Sequence, residues 1–169
     1  QKGIFITIEG LDGSGKSTQI PYIRDFLEER GYDVLLTREP GGTTIGEKIR
    51  ELLLDKNHGE MSAAAEALLY AASRAQHVTE LILPALEKGK IVLCDRFVDS
   101  SIAYQGAGRQ LDLGSVIDIN RFATCGLEPD FTILLDIKPE MSLNRVKITK
   151  EADRLEQEKI DFYERVYKG

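Results

Sequence analysis

The run Gly10-Leu11-Asp12-Gly13-Ser14-Gly15-Lys16-Ser17 has the spacing GxxxxGK[ST], a glycine-rich loop closed by a lysine and a hydroxyl. Glycine permits positive φ, so successive backbone N–H groups turn inward and converge on phosphate oxygens. Lys16 adds a full positive charge, the Ser17 hydroxyl suits Mg²⁺, and a helix starting near Lys16 puts its positive end at the same place. This chemistry implies a nucleoside triphosphate, bound by Gly10 to Ser17 and the following Thr18. The loop says nothing about what receives the phosphoryl group.

Two further segments place charge after apolar runs: Thr37-Arg38-Glu39-Pro40-Gly41-Gly42 and Asp95-Arg96-Phe97. Open α/β sheets bind ligands at the carboxyl ends of their strands, which makes these acid–arginine pairs candidates for holding a second ligand. Arg38 and Arg96 suit planar, bidentate phosphate contacts; a structural salt bridge with Glu39 or Asp95 is the plainer alternative, and both can hold together. Asp95 is placed either to hold a metal through water or to cap a helix. Ser17, Asp95 and Glu39 form the metal-side set. Tyr70 and Arg74 stand four residues apart, on one face of any helix they share. Tyr70 can stack on a base while Arg74 donates to its edge, unless the tyrosine belongs to the core. The two histidines, His58 and His77, adjoin none of these motifs and read as surface or structural residues.

These residues need a scaffold, and β-branched runs alternating with helical period supply an α/β pattern with a buried parallel sheet. Strands are expected at 4–8, 34–37, 91–94 and 131–135, the last two as fully buried runs. Helices are expected from Lys16 until Gly31, around 45–53, from Ser62 to about Leu86 with a kink or break at Pro84, over 116–123, from Pro139, and around Ile160, Tyr163 and Val166. A polar turn is expected between the third strand and residue 116. Residues 147–154 lack apolar period and read as a mobile surface segment. The length of 169 residues fits one domain. With 22 basic against 28 acidic residues the net charge is −6, which argues against bulk nucleic-acid binding. Cys94 and Cys125 have neither disulfide-framework nor zinc spacing. No apolar run reaches the roughly 18 residues of a membrane span, so a cytoplasmic protein is expected.

In this order and spacing GLDGSGKST, TREPGG, YAASRAQH, DRF and SSIAYQG resemble the thymidylate kinases, within the nucleoside monophosphate kinases, over residues 4–158. The resemblance implies a P-loop NTPase three-layer sandwich with parallel strand order 2-3-1-4-5, the fifth strand missing from the given residues. It implies transfer from ATP to dTMP with Mg²⁺, and a homodimer. Asp12 would contact the 3′-hydroxyl of the acceptor near the transferring phosphate, and Arg38 and Arg96 would hold the acceptor phosphate. Tyr70 would stack on thymine, where relatives usually carry Phe. Arg74 would address O4, with Ser101 and Gln105 on the base edge, and Tyr104 would crowd a 2′-hydroxyl. Lys16, Arg96, Asp12 and Arg154 are the implied catalytic set, Arg154 belonging to a lid at about 145–156 that also carries Arg145, Lys147 and Lys150. The alternatives are a kinase of another nucleotide and a non-catalytic nucleotide-binding regulator.

Overall fold

A computed structural model describes residues 2–149 and 153–169, the side chains of 147–149 excepted. Four parallel strands, β1 (Ile4–Glu9), β2 (Val34–Arg38), β3 (Ile91–Asp95) and β4 (Phe131–Leu134), form one sheet in the order β2-β3-β1-β4. This is the expected order over its first four positions. The register sets Arg38 opposite Asp95, and Asp95 opposite Ile8, so three strands deliver their polar ends to one edge.

Burial follows from strand position. β1 and β3 lie inside the sheet, and their side chains enter two cores. Phe5, Val92 and Cys94 pack with Val78, Ile82 and Phe97 on one face, and Ile8, Ile91 and Leu93 with Ile20 on the other. Each fully buried large side chain contributes about 1.5–3 kcal/mol. β4 departs from the expectation of a buried run: Phe131 is 62% exposed and Leu134 65%. Among the described residues its one neighbouring strand is β1.

Helix α1 (Lys16–Glu28) starts directly at the glycine loop. Thr43 caps α2 (Thr44–Leu54), and Ser62 caps α3 (Ala63–His77), each accepting a backbone N–H three residues on. The predicted break at Pro84 does not occur. A π-helical turn at Val78–Ile82 widens the helix, and Pro84 follows in the first turn of α4 (Leu83–Glu87), where its ring and missing N–H are tolerated.

The expected polar turn after β3 is instead helical. It comprises α5 (Val98–Ser101) and a π-helical stretch, Ile102–Gly108, which leads on to α6 (Leu113–Ala123). Helix α7 (Pro139–Thr149) takes in the start of the segment expected to be mobile; 150–152 lie outside the described residues, and Lys150 with them. Helix α8 (Ile160–Lys168) packs Phe162, Tyr163 and Val166 against Leu11, Tyr104 and Leu155. Among the described residues no helix is long and apolar enough to cross a membrane.

Candidate active site

Beyond β1 the chain turns through Gly10, Gly13 and Gly15, all at positive φ. Lys16 folds back over this loop, its Nζ donating to the carbonyls of Gly10 at 2.8 Å and Leu11 at 3.2 Å. Burial, and then the charge of Arg96, push its pKa down to about 8. Among the described residues no carboxylate is hydrogen-bonded to Lys16, as suits a group whose counter-charge arrives with a ligand. Gly13, Gly15, Lys16, Ser17 and Thr18 line a crevice together with Arg38, Asp95, Arg96 and Arg145. Within it one oxygen of Asp95, Oδ1, is buried with no hydrogen-bond partner among the described residues.

A second crevice adjoins the first. Tyr70, Arg74, Ser101, Tyr104 and Gln105 line it, and Asp12, Glu39, Arg50 and Arg96 border both. Arg96 stands at the junction with φ 71°, a left-handed conformation that is unfavourable for arginine. Its Nη2 donates to Asp12 Oδ1 at 2.8 Å, its Nη1 to Ser100 Oγ at 3.2 Å, and its guanidinium lies 5.2 Å from the Tyr104 ring centroid. Thus the predicted catalytic pair Asp12 and Arg96 forms an ion pair between the phosphate loop and β3.

Arg74 is 2% exposed and nearly saturated. Its Nε donates to Glu39 Oε2 at 2.6 Å, Nη2 to the Phe97 carbonyl at 2.9 Å, and Nη1 to Ser101 Oγ at 2.8 Å and also to Asn120 Oδ1. Glu39, expected on the metal side, has protein partners. Its second oxygen, Oε1, is bonded to His77 Nδ1 at 2.9 Å, so Arg74 and His77 each take one carboxylate oxygen and Glu39 ties α3 to the end of β2. His77 is structural as expected, yet it does adjoin a motif: its Nε2 meets Thr37 Oγ1 at 2.7 Å. Gly42 makes room for it, since a Cβ there, at φ +81°, would sit 2.7 Å from the imidazole. Glu39, His77 and Cys94 place donor atoms within 4.8 Å of one another. Existing hydrogen bonds satisfy the first two, and burial pushes the Cys94 thiol pKa well up, which keeps it protonated.

Three other predicted residues have unforeseen partners. Arg38 pairs with Glu47 through both Nη atoms, at 3.0 and 3.1 Å, rather than with Glu39 or Asp95. Gln105 Nε2 donates to buried Glu66 at 2.9 Å. Arg154 is not brought to the phosphate loop: its Nε donates to the Leu53 carbonyl at 2.7 Å and its Nη2 ion-pairs with Glu66 at 2.7 Å.

The sequence profile of the thymidylate kinase family matches residues 8–169. The chain belongs to the thymidylate kinase family. It is 55% identical to the thymidylate kinase of an Exiguobacterium species, over 99% of this chain and 79% of that protein. It is 57% identical to that of Finegoldia magna, over 98% of this chain and 82% of that one. A crystal structure of the thymidylate kinase of Ehrlichia chaffeensis superposes with a TM-score of 0.81 at 36% identity, covering 99% of this chain and 84% of that one. The chain is therefore a kinase that transfers a phosphoryl group from ATP to dTMP, giving ADP and dTDP.

Within this thymidylate kinase site two residues, Arg50 and Glu9, lie outside the motifs named from the sequence. Arg50 borders both crevices, its Nη1 donating to the Pro40 carbonyl at 2.9 Å. Glu9, raised in pKa by burial, accepts from the Phe97 N–H at 2.7 Å and the Ser100 hydroxyl at 2.6 Å. A charged residue closing an apolar strand is a readable signal for Glu9; for Arg50, one basic residue on an amphipathic helix, there is none.

Proposed function

We propose that ATP lies with its phosphates in the glycine loop, that dTMP enters the adjoining crevice, and that the two meet at Asp12 and Arg96. The shared border of the two crevices carries this reading. Lys16 neutralises the β and γ phosphates, and Arg38, Arg50 and Arg96 draw in the acceptor phosphate. Tyr70 stacks on thymine, Arg74, Ser101 and Gln105 face its edge, and Tyr104 lies against the sugar.

The divalent metal is Mg²⁺, held by the Ser17 hydroxyl and by Asp95 through water. The buried Asp95 oxygen that has no partner among the described residues is the observation that fits it. A Mg²⁺ ion held there would offset the charge of the phosphate oxygens. The protein's own groups do the rest. The dTMP phosphate, with its second pKa near 6, is largely a dianion at neutral pH and needs no dedicated base. The barrier lies in bringing two polyanions together, so catalysis comes from positioning and from guanidinium charge.

The chain works as one domain with a lid at about 145–156, and Arg154 reaches the phosphates only after leaving Glu66. It acts in the cytoplasm as a homodimer. The dimer reading is supported by Leu52, Leu68, Leu113 and Phe122, which stand exposed on α2, α3 and α6, helices that pack on one another. An ATP-coupled assay ranking dTMP, dUMP, dGMP and AMP tests the acceptor assignment: dTMP is expected first, and a purine preference overturns it.

A further inference from the structure

We infer that Glu66 fixes which way the Gln105 amide faces and thereby sets the acceptor site for thymine and against cytosine. The inference rests on the reading that the Tyr70–Gln105 crevice takes the base. A glutamine amide can turn over with almost no change of shape, so its direction must come from its neighbours. Gln105 and Glu66 are each 1% exposed, and Gln105 Nε2 donates to Glu66 Oε1 at 2.9 Å. Glu66 also pairs with Arg109 at 3.0 Å and Arg154 at 2.7 Å. Two guanidinium partners keep it an ionised carboxylate, and an ionised carboxylate only accepts hydrogen bonds. Turning the amide over would set two acceptor oxygens face to face in a buried space with no proton between them. The orientation is thus dictated by chemistry.

What remains of Gln105 toward the crevice is Oε1, which makes no hydrogen bond among the described residues, and beside it the second Nε2 proton. Acceptor beside donor complements thymine, whose N3–H lies next to a carbonyl. Cytosine carries the reverse pattern, an unprotonated N3 next to an amino group, and matches only the inverted amide. Uracil has the thymine pattern, so Glu66 separates thymine and uracil from cytosine and leaves the 5-methyl group to apolar contact.

The test is steady-state kinetics of the whole chain with ATP, Mg²⁺ and either dTMP or dCMP. In Glu66→Gln the amide at 66 both donates and accepts, Gln105 is free to turn, and the ratio of kcat/KM for dTMP over dCMP falls by about tenfold or more, chiefly through KM. Glu66→Asp keeps an acceptor-only group and restores the ratio toward that of the unaltered protein. Gln105→Met leaves Glu66 with its arginines and lowers the ratio comparably, and adding Glu66→Gln to it lowers the ratio no further. Should Glu66→Gln fail to fold, Glu66→Asp against Gln105→Met carries the same comparison. A folded Glu66→Gln or Gln105→Met protein with an unchanged ratio overturns the inference. An unaltered protein that does not prefer dTMP to dCMP overturns instead the assignment of the base crevice on which it rests.

Discussion

Arg96 holds a left-handed backbone conformation, φ 71°, that costs a non-glycine residue about 1–3 kcal/mol. Its guanidinium reaches Asp12 across the junction of the two crevices. Arg96→Ala removes charge where two anions meet, and is expected to lower kcat/KM by about 10²-fold or more while the urea midpoint of unfolding moves little. Turnover within a few-fold of the unaltered enzyme contradicts the role. Lys16 makes a pH prediction. Its pKa of about 8 in the free protein means that above this value it is largely neutral, while phosphate oxygens favour the ammonium form. ATP binding above pH 8 therefore takes up a proton, and affinity falls as pH rises through that range; phosphate groups have lost their last proton well below it. Calorimetry at pH 8.5 in two buffers of different ionisation enthalpy measures the uptake, and a value of zero excludes Lys16 as the group. Lys16, Asp12 and Arg96 were legible because motif spacing names them. The partners of Arg38, Arg74 and Gln105 were not, since Glu47, Asn120 and Glu66 stand 9, 46 and 39 residues away and only the fold joins them.

Among the elements, the π-helical stretch Ile102–Gly108 matters most to the acceptor side, because it carries Tyr104 and Gln105. Helix α8 backs it: a Cβ on Gly108 would lie 2.7 Å from the Phe162 ring and 2.8 Å from Val166. Gly108→Ala is expected to destabilise by about 1–3 kcal/mol through overpacking and to raise the KM for dTMP more than that for ATP. Equal stability in urea, with both KM values unmoved, contradicts this coupling. The same stretch was read as a turn, for a physical reason. Gln105 within it and Ser101 just before it are buried polar residues, so the inward face lacks the apolar period by which helices are recognised. β1 and β3 were legible to within a residue because a strand enclosed in a sheet must be apolar, and β2, at the sheet's edge, because Pro40 and two glycines end its apolar run. β4 has the same composition and, with β1 as its one neighbour among the described residues, is exposed. Burial is a property of neighbours, which a single segment does not encode.

Over the whole molecule, a chain of net charge −6 holds a cluster of arginines around one junction. Composition averages over this asymmetry, and it took the strand ends, brought to one edge by a parallel sheet, to reveal it. The family motifs anticipated the strand order over four strands, and the phosphate loop anticipated one crevice. That the second crevice shares Asp12, Arg50 and Arg96 with the first is visible only in three dimensions. The central claim is that both nucleotides meet across that shared border. A single compound joining adenosine to thymidine through a chain of phosphates, titrated calorimetrically into the protein, tests it most directly. Binding with a stoichiometry of about one per chain, more tightly than ATP or dTMP alone and displacing both, is the predicted result, since each half raises the effective concentration of the other. A compound that competes with only one of the two nucleotides, or binds no better than ATP, contradicts it.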